Sequence, residues 1–277
     1  MEVKPILEKI VSENEDKADF YLRNLLKEYL QVLILEYIYS SSRYRDLFFY
    51  GGTCLAQCYG LPRLSEDLDF VDAGKKIDLD KLTKDLSDFF NSQTDLSVKA
   101  KTQKFRVYLK FPILNDLGLA GTRAESDNLN VKVEIFSGFD FCRKYREEFK
   151  PIFKFNRSVL VKTFDLPTLM ATKIRAVLYR NWEKTNKKGK TLIAVKGRDY
   201  FDLMWFLDRG IEPNLNCLEG INSLKELKEL LREKVRRIDT RSVVLDLENF
   251  LADSAFAEET GKNIKKILQT KIENLKD

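Results

Sequence analysis

The chain contains no histidine. That absence excludes Ser-His-Asp and Cys-His nucleophilic catalysis and every metal site built on imidazole, so any chemistry must run on carboxylates, lysine or bound metal. Cysteine is scarce as well. Cys54, Cys58, Cys142 and Cys217 form no CxxC pair and no disulfide-framework spacing, which reads as small core residues in a reducing compartment. Cys54 and Cys58 lie four apart on a helical stretch, but a structural zinc wants four ligands and the chain has no histidine to complete the set. Long apolar runs are missing too: "YLQVLILEYIY" at 29–39 is interrupted by Gln31 and Glu36 and is too short to cross a bilayer. The N-terminal "MEVKPILEKIVSENEDK" lacks the basic-then-apolar order of a secretory signal. A cytoplasmic protein without a membrane partner is the expectation.

What the chain does have is 277 residues, 44% of them hydrophobic, enough to bury a substantial core in one large domain or two modest ones. The net charge of +5 is mild for this length and says little about partners. Its distribution says more, because Lys and Arg crowd "YRNWEKTNKKGKTLIAVKGR" at 179–198 against a single Glu. A solvated loop between helices accounts for that stretch as well as a phosphate-backbone contact through Lys187, Lys188, Lys190, Lys196 and Arg198 does.

Apolar positions at helical spacing, Leu22, Leu25, Leu26, Tyr29, Leu33 and Tyr37 among them, predict an N-terminal helix over 15–39. "DLFFY" at 46–50 reads as a buried strand, turned by "GGT" into a helix over about 53–59, and "EDLDFV" at 66–71 reads as the next strand. A helix over about 78–91 follows. In "KFRVYLKF" the residues Phe105, Val107, Leu109 and Phe111 alternate with Arg106, Tyr108 and Lys110, the two-residue period of a half-buried strand. "NVKVEIF" at 130–136 alternates likewise, with Lys132 and Glu134 on its polar face. After about residue 140 the pattern predicts helices: 166–182 with Asp165 as N-cap and Pro167 in the first turn, "GRDYFDLMWFLDRG" closed by Gly210, "SLKELKELLREKVRRI", and stretches near 242–252 and 260–275. The fold class is α+β, a small mixed sheet with helices followed by a helical C-terminal half. The expected division is an N-terminal helical segment at 1–45, an α/β core at 46–150 and a mainly helical domain at 151–277.

Residues two apart on a strand share a face, so Asp67 and Asp69 project together with Cα atoms roughly 6–7 Å apart. On spacing alone an ordinary exposed strand face accounts for the pair, but two like charges side by side gain nothing by burial, and beside the Gly-Gly-Thr turn a divalent cation that neutralises them is the favoured reading; Mg²⁺, or Mn²⁺ in its place, suits such oxygen ligands. Glu134, on the polar face of a separate strand, is the candidate third acid. The Gly51-Gly52-Thr53 turn between strand and helix offers free N–H groups and a helix dipole to an anion, and Thr53 adds a hydroxyl. It is not a P-loop, since the GxxxxGK[ST] spacing is absent. Lys173 stands in an apolar stripe with Leu169, Met170, Ala176 and Val177, a costly position for a charge unless its ammonium reaches water or a partner. Asp199 and Asp202, three apart, share a helix face, while Arg198 and Asp202, four apart, have the spacing of a simple surface ion pair.

"GGTCLAQCYGLPRLSEDLDF" at 51–70 resembles the signature of the AbiEii/AbiGii toxin family of nucleotidyltransferase-like proteins, a Gly-Gly-Thr turn followed by Arg-x-Ser-x-Asp-x-Asp; Arg63, Ser65, Asp67 and Asp69 stand at those positions. The resemblance extends to "ATKIRAVLYR", where Lys173 falls on the family's lysine, and to "KGRDYFDL", similar to its Arg-Asp-x-x-Asp-Leu element with Arg198, Asp199 and Asp202. It implies a nucleotidyltransferase-like core and transfer of a nucleoside monophosphate from an NTP. Gly51, Gly52, Thr53, Arg63 and Ser65 would bind nucleotide, Asp67, Asp69 and Glu134 would hold Mg²⁺, and Lys173 would neutralise phosphate charge, with Asp199 and Asp202 as further catalytic acids. It also implies an RNA acceptor, tRNA ends foremost, an antitoxin partner, and toxicity within a toxin–antitoxin or phage-defence system. The residues alone leave three other readings open: an antibiotic-type nucleotidyltransferase with a small-molecule acceptor, a metal-dependent phosphodiesterase using the same acids, and a non-catalytic NTP-binding module.

Overall fold

Apolar residues occupy almost every turn of 22–38, and a helix hydrophobic on several faces must be enclosed. In the computed structural model this stretch lies in α2 (Asp19–Ser40), which matches the helix expected over 15–39, and a further helix the apolar spacing did not mark, α1 (Lys4–Ser12), precedes it. The structure describes residues 1–120, 126–180, 183–185 and 191–275. The chain then runs through β1 (Phe48–Tyr50), α3 (Gly51–Tyr59), β2 (Asp67–Asp72), α4 (Leu79–Gln93), β3 (Lys99–Gln103), β4 (Arg106–Pro112) and β5 (Asn128–Ser137). A hairpin of β6 (Glu147–Lys154) and β7 (Arg157–Phe164) completes a seven-stranded sheet in the order β3-β4-β5-β2-β1-β7-β6. The sheet is mixed: β2 pairs parallel with β5 and β1 parallel with β7, while β1–β2, β3–β4 and β4–β5 are antiparallel.

The hairpin corrects the expectation that strands end near residue 140. Its turn is Phe155-Asn156, both with positive φ (51° and 60°), the conformation of the tight turn that suits strand twist but here without the glycine that usually announces it. β6 is an edge strand exposing Phe149 and Phe153, so it shows no clean apolar alternation. β3, likewise unread in the sequence, is an edge strand of alternating polar residues.

One face of the sheet carries the core. Val107, Leu109 and Phe111 of β4 and Val131, Val133 and Ile135 of β5 are buried, and α2 and α4 pack there. Phe90 of α4 meets Phe111 edge-on with ring centroids 4.9 Å apart, and Phe49 lies 5.4 Å from Phe70. Each such aromatic contributes about 1.5–3 kcal/mol by burial. This packing leaves the opposite residues of β2, β3, β4 and β5 on a second, polar face.

The chain divides into two compact units: Met1–Gly60, Leu64–Phe139 and Glu148–Thr163 in one, Leu61–Arg63, Asp140–Glu147 and Phe164–Asp277 in the other. α1 and α2 group with the sheet. The second unit holds α5 (Leu166–Tyr179), a two-stranded pairing of β8 (Lys184–Thr185) with β9 (Thr191–Ile193), then α6 (Gly197–Asp208), α7 (Leu224–Arg236), α8 (Thr240–Leu247) and α9 (Ser254–Glu273). Asp165 caps α5 as its position predicts, accepting from the Thr168 N–H at 3.2 Å. Cys142 and Cys217, 75 residues apart, are both buried in the core as expected, but they form a disulfide in this unit, which corrects the expectation of unbridged cysteines; sequence spacing carries no trace of so distant a pairing. No helix among the described residues is long and apolar enough to cross a membrane.

Candidate functional site

Register decides which polar residues of the sheet unit meet. Asp69 stands opposite Glu134 on β5, and Glu134 opposite Arg106 on β4. One row along, Asp67 stands opposite Lys132, and Lys132 opposite Tyr108. Asp67, Asp69 and Glu134 therefore share one face of adjacent strands, with Leu68 and Phe70 turned into the core.

Basic side chains already meet two of the acids. Lys132 Nζ lies 3.3 Å from an Asp67 carboxylate oxygen, and Arg106 Nε lies 2.6 Å from Glu134 Oε1. The Arg106 Nε–H is not aimed at that oxygen, so the pair is a charge contact without an aligned hydrogen bond. Burial opposes the charge on Lys132, but Asp67 overrides it and the ammonium pKa is raised; Glu134 does the same for the partly buried Arg106 guanidinium. In the sequence Arg106 and Lys132 stand on polar strand faces with nothing to mark them as part of the site. The alternation that located the strands also named these residues, but register was needed to see what they touch.

Gly51 opens α3 with φ +80°, and a β-carbon there would sit 2.1 Å from Asp69 Oδ2. The glycine is required twice, for its left-handed conformation and for the space the carboxylate occupies. Thr53, also in the first turn of α3, donates its hydroxyl in a short hydrogen bond to the Asp67 carbonyl, tying the helix start to the acid strand. Gly52 is buried beside it. Ser65 precedes β2, and its carbonyl accepts from Gln31 Nε2 at 3.0 Å.

The remaining candidates belong to the helical unit. Lys173 sits among the buried apolar residues of α5, and its ammonium finds carboxylates there: Asp202 at 2.7 Å and Asp199 at 3.6 Å. Arg63 clamps Asp202 with two hydrogen bonds of 2.6 Å, and Arg180 donates to Asp199 at 2.6 Å. Asp202 is fully buried. Desolvation pushes its pKa up, but Arg63 and then Lys173 overcome this and hold the carboxyl down at about 2. The expected surface pair of Arg198 with Asp202 does not form. Asp202 is taken by Arg63 and Lys173, while Arg198 gives its backbone N–H and its Nε to Asp246 at 2.9 and 3.3 Å and stacks 3.9 Å over Phe250. Lys196 is half-buried, and desolvation followed by the charge of Arg198 lowers its pKa. Lys187, Lys188 and Lys190 lie outside the described residues.

Among the described residues no group of three or more acids or cysteines is drawn together as a metal cage. The donor set instead fits a hard cation that binds through one or two carboxylates and completes its shell with waters and substrate phosphates, the habit of Mg²⁺.

No curated protein matches the chain. Among solved structures, JHP933 from Helicobacter pylori is 19% identical with a TM-score of 0.49, covering 91% of this chain and 93% of that one. A second H. pylori protein, described as a candidate nucleotidyltransferase, is 18% identical with a TM-score of 0.46, covering 91% and 97%. Likeness at this level bears no weight for function. The family model of the nucleotidyl transferase AbiEii toxin of type IV toxin–antitoxin systems matches residues 34–277, and the chain, with its Gly-Gly-Thr turn set against an Asp-x-Asp strand, belongs to that family.

Proposed function

We propose that the chain transfers a nucleoside monophosphate from an NTP to a hydroxyl at the end of an RNA, tRNA ends first among them, with Mg²⁺ or Mn²⁺. In this way it would act as the growth-arresting toxin of a cytoplasmic toxin–antitoxin or phage-defence pair, with the antitoxin as its protein partner. The observation that supports this most is the placement of Asp67 and Asp69 on one sheet face with Asp69 set against Gly51 at the start of α3. That arrangement puts carboxylates for a cation beside the positive end of a helix, where phosphate oxygens are favoured.

In the reaction the acceptor oxygen bonds to the α-phosphorus, the bond from that phosphorus to the oxygen bridging the β-phosphate breaks, and pyrophosphate leaves with the bonding pair. The acceptor proton passes to a carboxylate or to water. Asp67 and Asp69 would hold the divalent cation, which supplies positive charge to the phosphates and favours ionisation of the acceptor hydroxyl. Gly51, Gly52, Thr53 and Ser65 would cradle the triphosphate, the glycines permitting close backbone approach. Glu134, steadied by Arg106, would orient the acceptor or complete the metal shell. Lys173, Arg63, Asp199 and Asp202 serve as the charge-balanced interior of the helical unit.

The test is incubation of purified protein with Mg²⁺, each α-labelled NTP in turn and total cellular RNA, beside an Asp67→Ala control of verified fold. Label on an RNA band with wild type alone supports the reading. Label on no RNA, or equal label with Asp67→Ala, overturns it.

A further inference from the structure

The polar face of the sheet does not end at the acids. Beyond Glu134 and Lys132 it continues across β4 and β3, where the outward residues are Arg106, Tyr108 and Lys110, then Gln103, Lys101 and Lys99. The alternate residues of β3 turn the other way: Thr102 bonds Thr83 of α4 at 2.8 Å, so Lys99 and Lys101 must face away from that helix. Both lysines and Lys110 are exposed, and none forms an ion pair with a described residue. Among the described residues of β2, β5, β4 and β3, carboxylates stand on this face only at Asp67, Asp69 and Glu134; everything outward of them on β4 and β3 is neutral or basic.

Two features resist a reading as ordinary solvated surface. Lys99 and Lys110 are direct cross-strand partners, and like charges directly opposite one another destabilise a sheet. Folding alone gives no reason to put them there. Tyr108 stands half-exposed between Lys101 and Lys132 in a single row that ends at Asp67. An aromatic ring between cations is what a single-stranded nucleic acid uses, the ring stacking a base while the cations follow the phosphates. At about 4.8 Å per strand, the row from Asp67 through Lys132 and Tyr108 to Lys101 spans about 14 Å.

We propose that this face, Lys99, Lys101 and Lys110 around Tyr108 and running inward by Lys132 and Arg106, is a track for the single-stranded end of an RNA acceptor, leading its terminal hydroxyl to Asp67 and Asp69. The proposal rests on the nucleotidyl-transfer reading above and assigns acceptor binding to the sheet rather than to the basic stretch at 184–198. The repulsion between Lys99 and Lys110 is then relieved by phosphate. Lys132 and Arg106, already against Asp67 and Glu134, join the basic track to the acid pair.

The test uses full-length protein and a fluorescent single-stranded RNA, with binding measured across a salt series for wild type and for Lys99→Glu/Lys101→Glu. The new carboxylate at 99 faces Lys110, so the melting temperature should hold or rise while RNA affinity falls at least about tenfold and the log–log salt slope shrinks by about 1.4, two phosphate contacts at roughly 0.7 each. NTP affinity should not change. Unaltered RNA binding and unaltered RNA labelling by the variant would overturn the track while leaving nucleotidyl transfer to RNA standing. A wild type that binds no RNA, but passes nucleotide to a small molecule or to a protein partner, would overturn the RNA reading and the track with it. Tyr108→Leu is a second probe: a loss of affinity with the salt slope unchanged supports base stacking, and unchanged affinity counts against it.

Discussion

A β-carbon on residue 51 would lie 2.1 Å from Asp69 Oδ2, so the first glycine of the Gly-Gly-Thr turn and the second aspartate of the Asp-x-Asp strand occupy interlocking space. Gly51→Ala must therefore both strain a backbone at φ +80° and push the carboxylate aside. We expect about 1 kcal/mol or more of lost stability. Transfer should fall by roughly a hundredfold or more, since a misplacement of about 1 Å costs that much. Urea unfolding alongside NTP turnover checks this, and a variant with wild-type turnover would show that the close approach is irrelevant.

Asp202 holds the helical unit together through two cations at once, Arg63 by a two-bond clamp and Lys173 at 2.7 Å. Removing one partner of a buried ion pair costs about 3–5 kcal/mol, because the other is left uncompensated. Arg63→Ala and Lys173→Ala should each destabilise by about that much, measured by chemical denaturation. Asp202→Asn, which leaves two cations against a neutral amide, should do the same.

The same carboxyl sets an acid limit. Its pKa is depressed from 3.8 to about 2 by folding, so its contribution is complete above pH 3.8 and is lost as pH falls through about 2. The difference corresponds to about 2 kcal/mol. Melting temperature followed from pH 5 to pH 2 should drop steeply in wild type and less steeply in Asp202→Asn; parallel curves would show that another group controls acid unfolding.

Lys132 occupies, at 3.3 Å from Asp67, the electrostatic place a metal would take. Lys132→Met should leave the acid pair less neutralised, so the apo protein loses a little stability while Mg²⁺ binds more tightly and raises the melting temperature more than in wild type. Equal Mg²⁺ shifts in the two proteins would remove Asp67 from the metal site.

Much of this was legible in the sequence. Alternation located β2, β4 and β5 and put Glu134, Arg106 and Lys132 on polar faces, and Asp165 with Pro167 marked the start of α5. The misses are of another kind. The β6–β7 hairpin turns on Phe155 and Asn156, without the Asn-Gly or Gly-Gly pair that signals such turns, and one strand lies on the edge where burial leaves no pattern. The Cys142–Cys217 bond and the Arg63–Asp202 clamp join residues 75 and 139 positions apart, and nothing local encodes such partnerships. Lys173 shows both sides: its apolar helical neighbours marked it as a charge needing a partner, but which carboxylates answer it is a matter of tertiary packing.

The most direct test of the account is release of pyrophosphate together with incorporation of label from an α-labelled NTP into RNA, with Mg²⁺, for wild type and Asp69→Asn, a variant that keeps the shape of the side chain and removes its charge. The account predicts equal amounts of pyrophosphate and incorporated label in wild type and neither above background in Asp69→Asn, with the two proteins equally folded by circular dichroism. Wild-type incorporation by Asp69→Asn would contradict it.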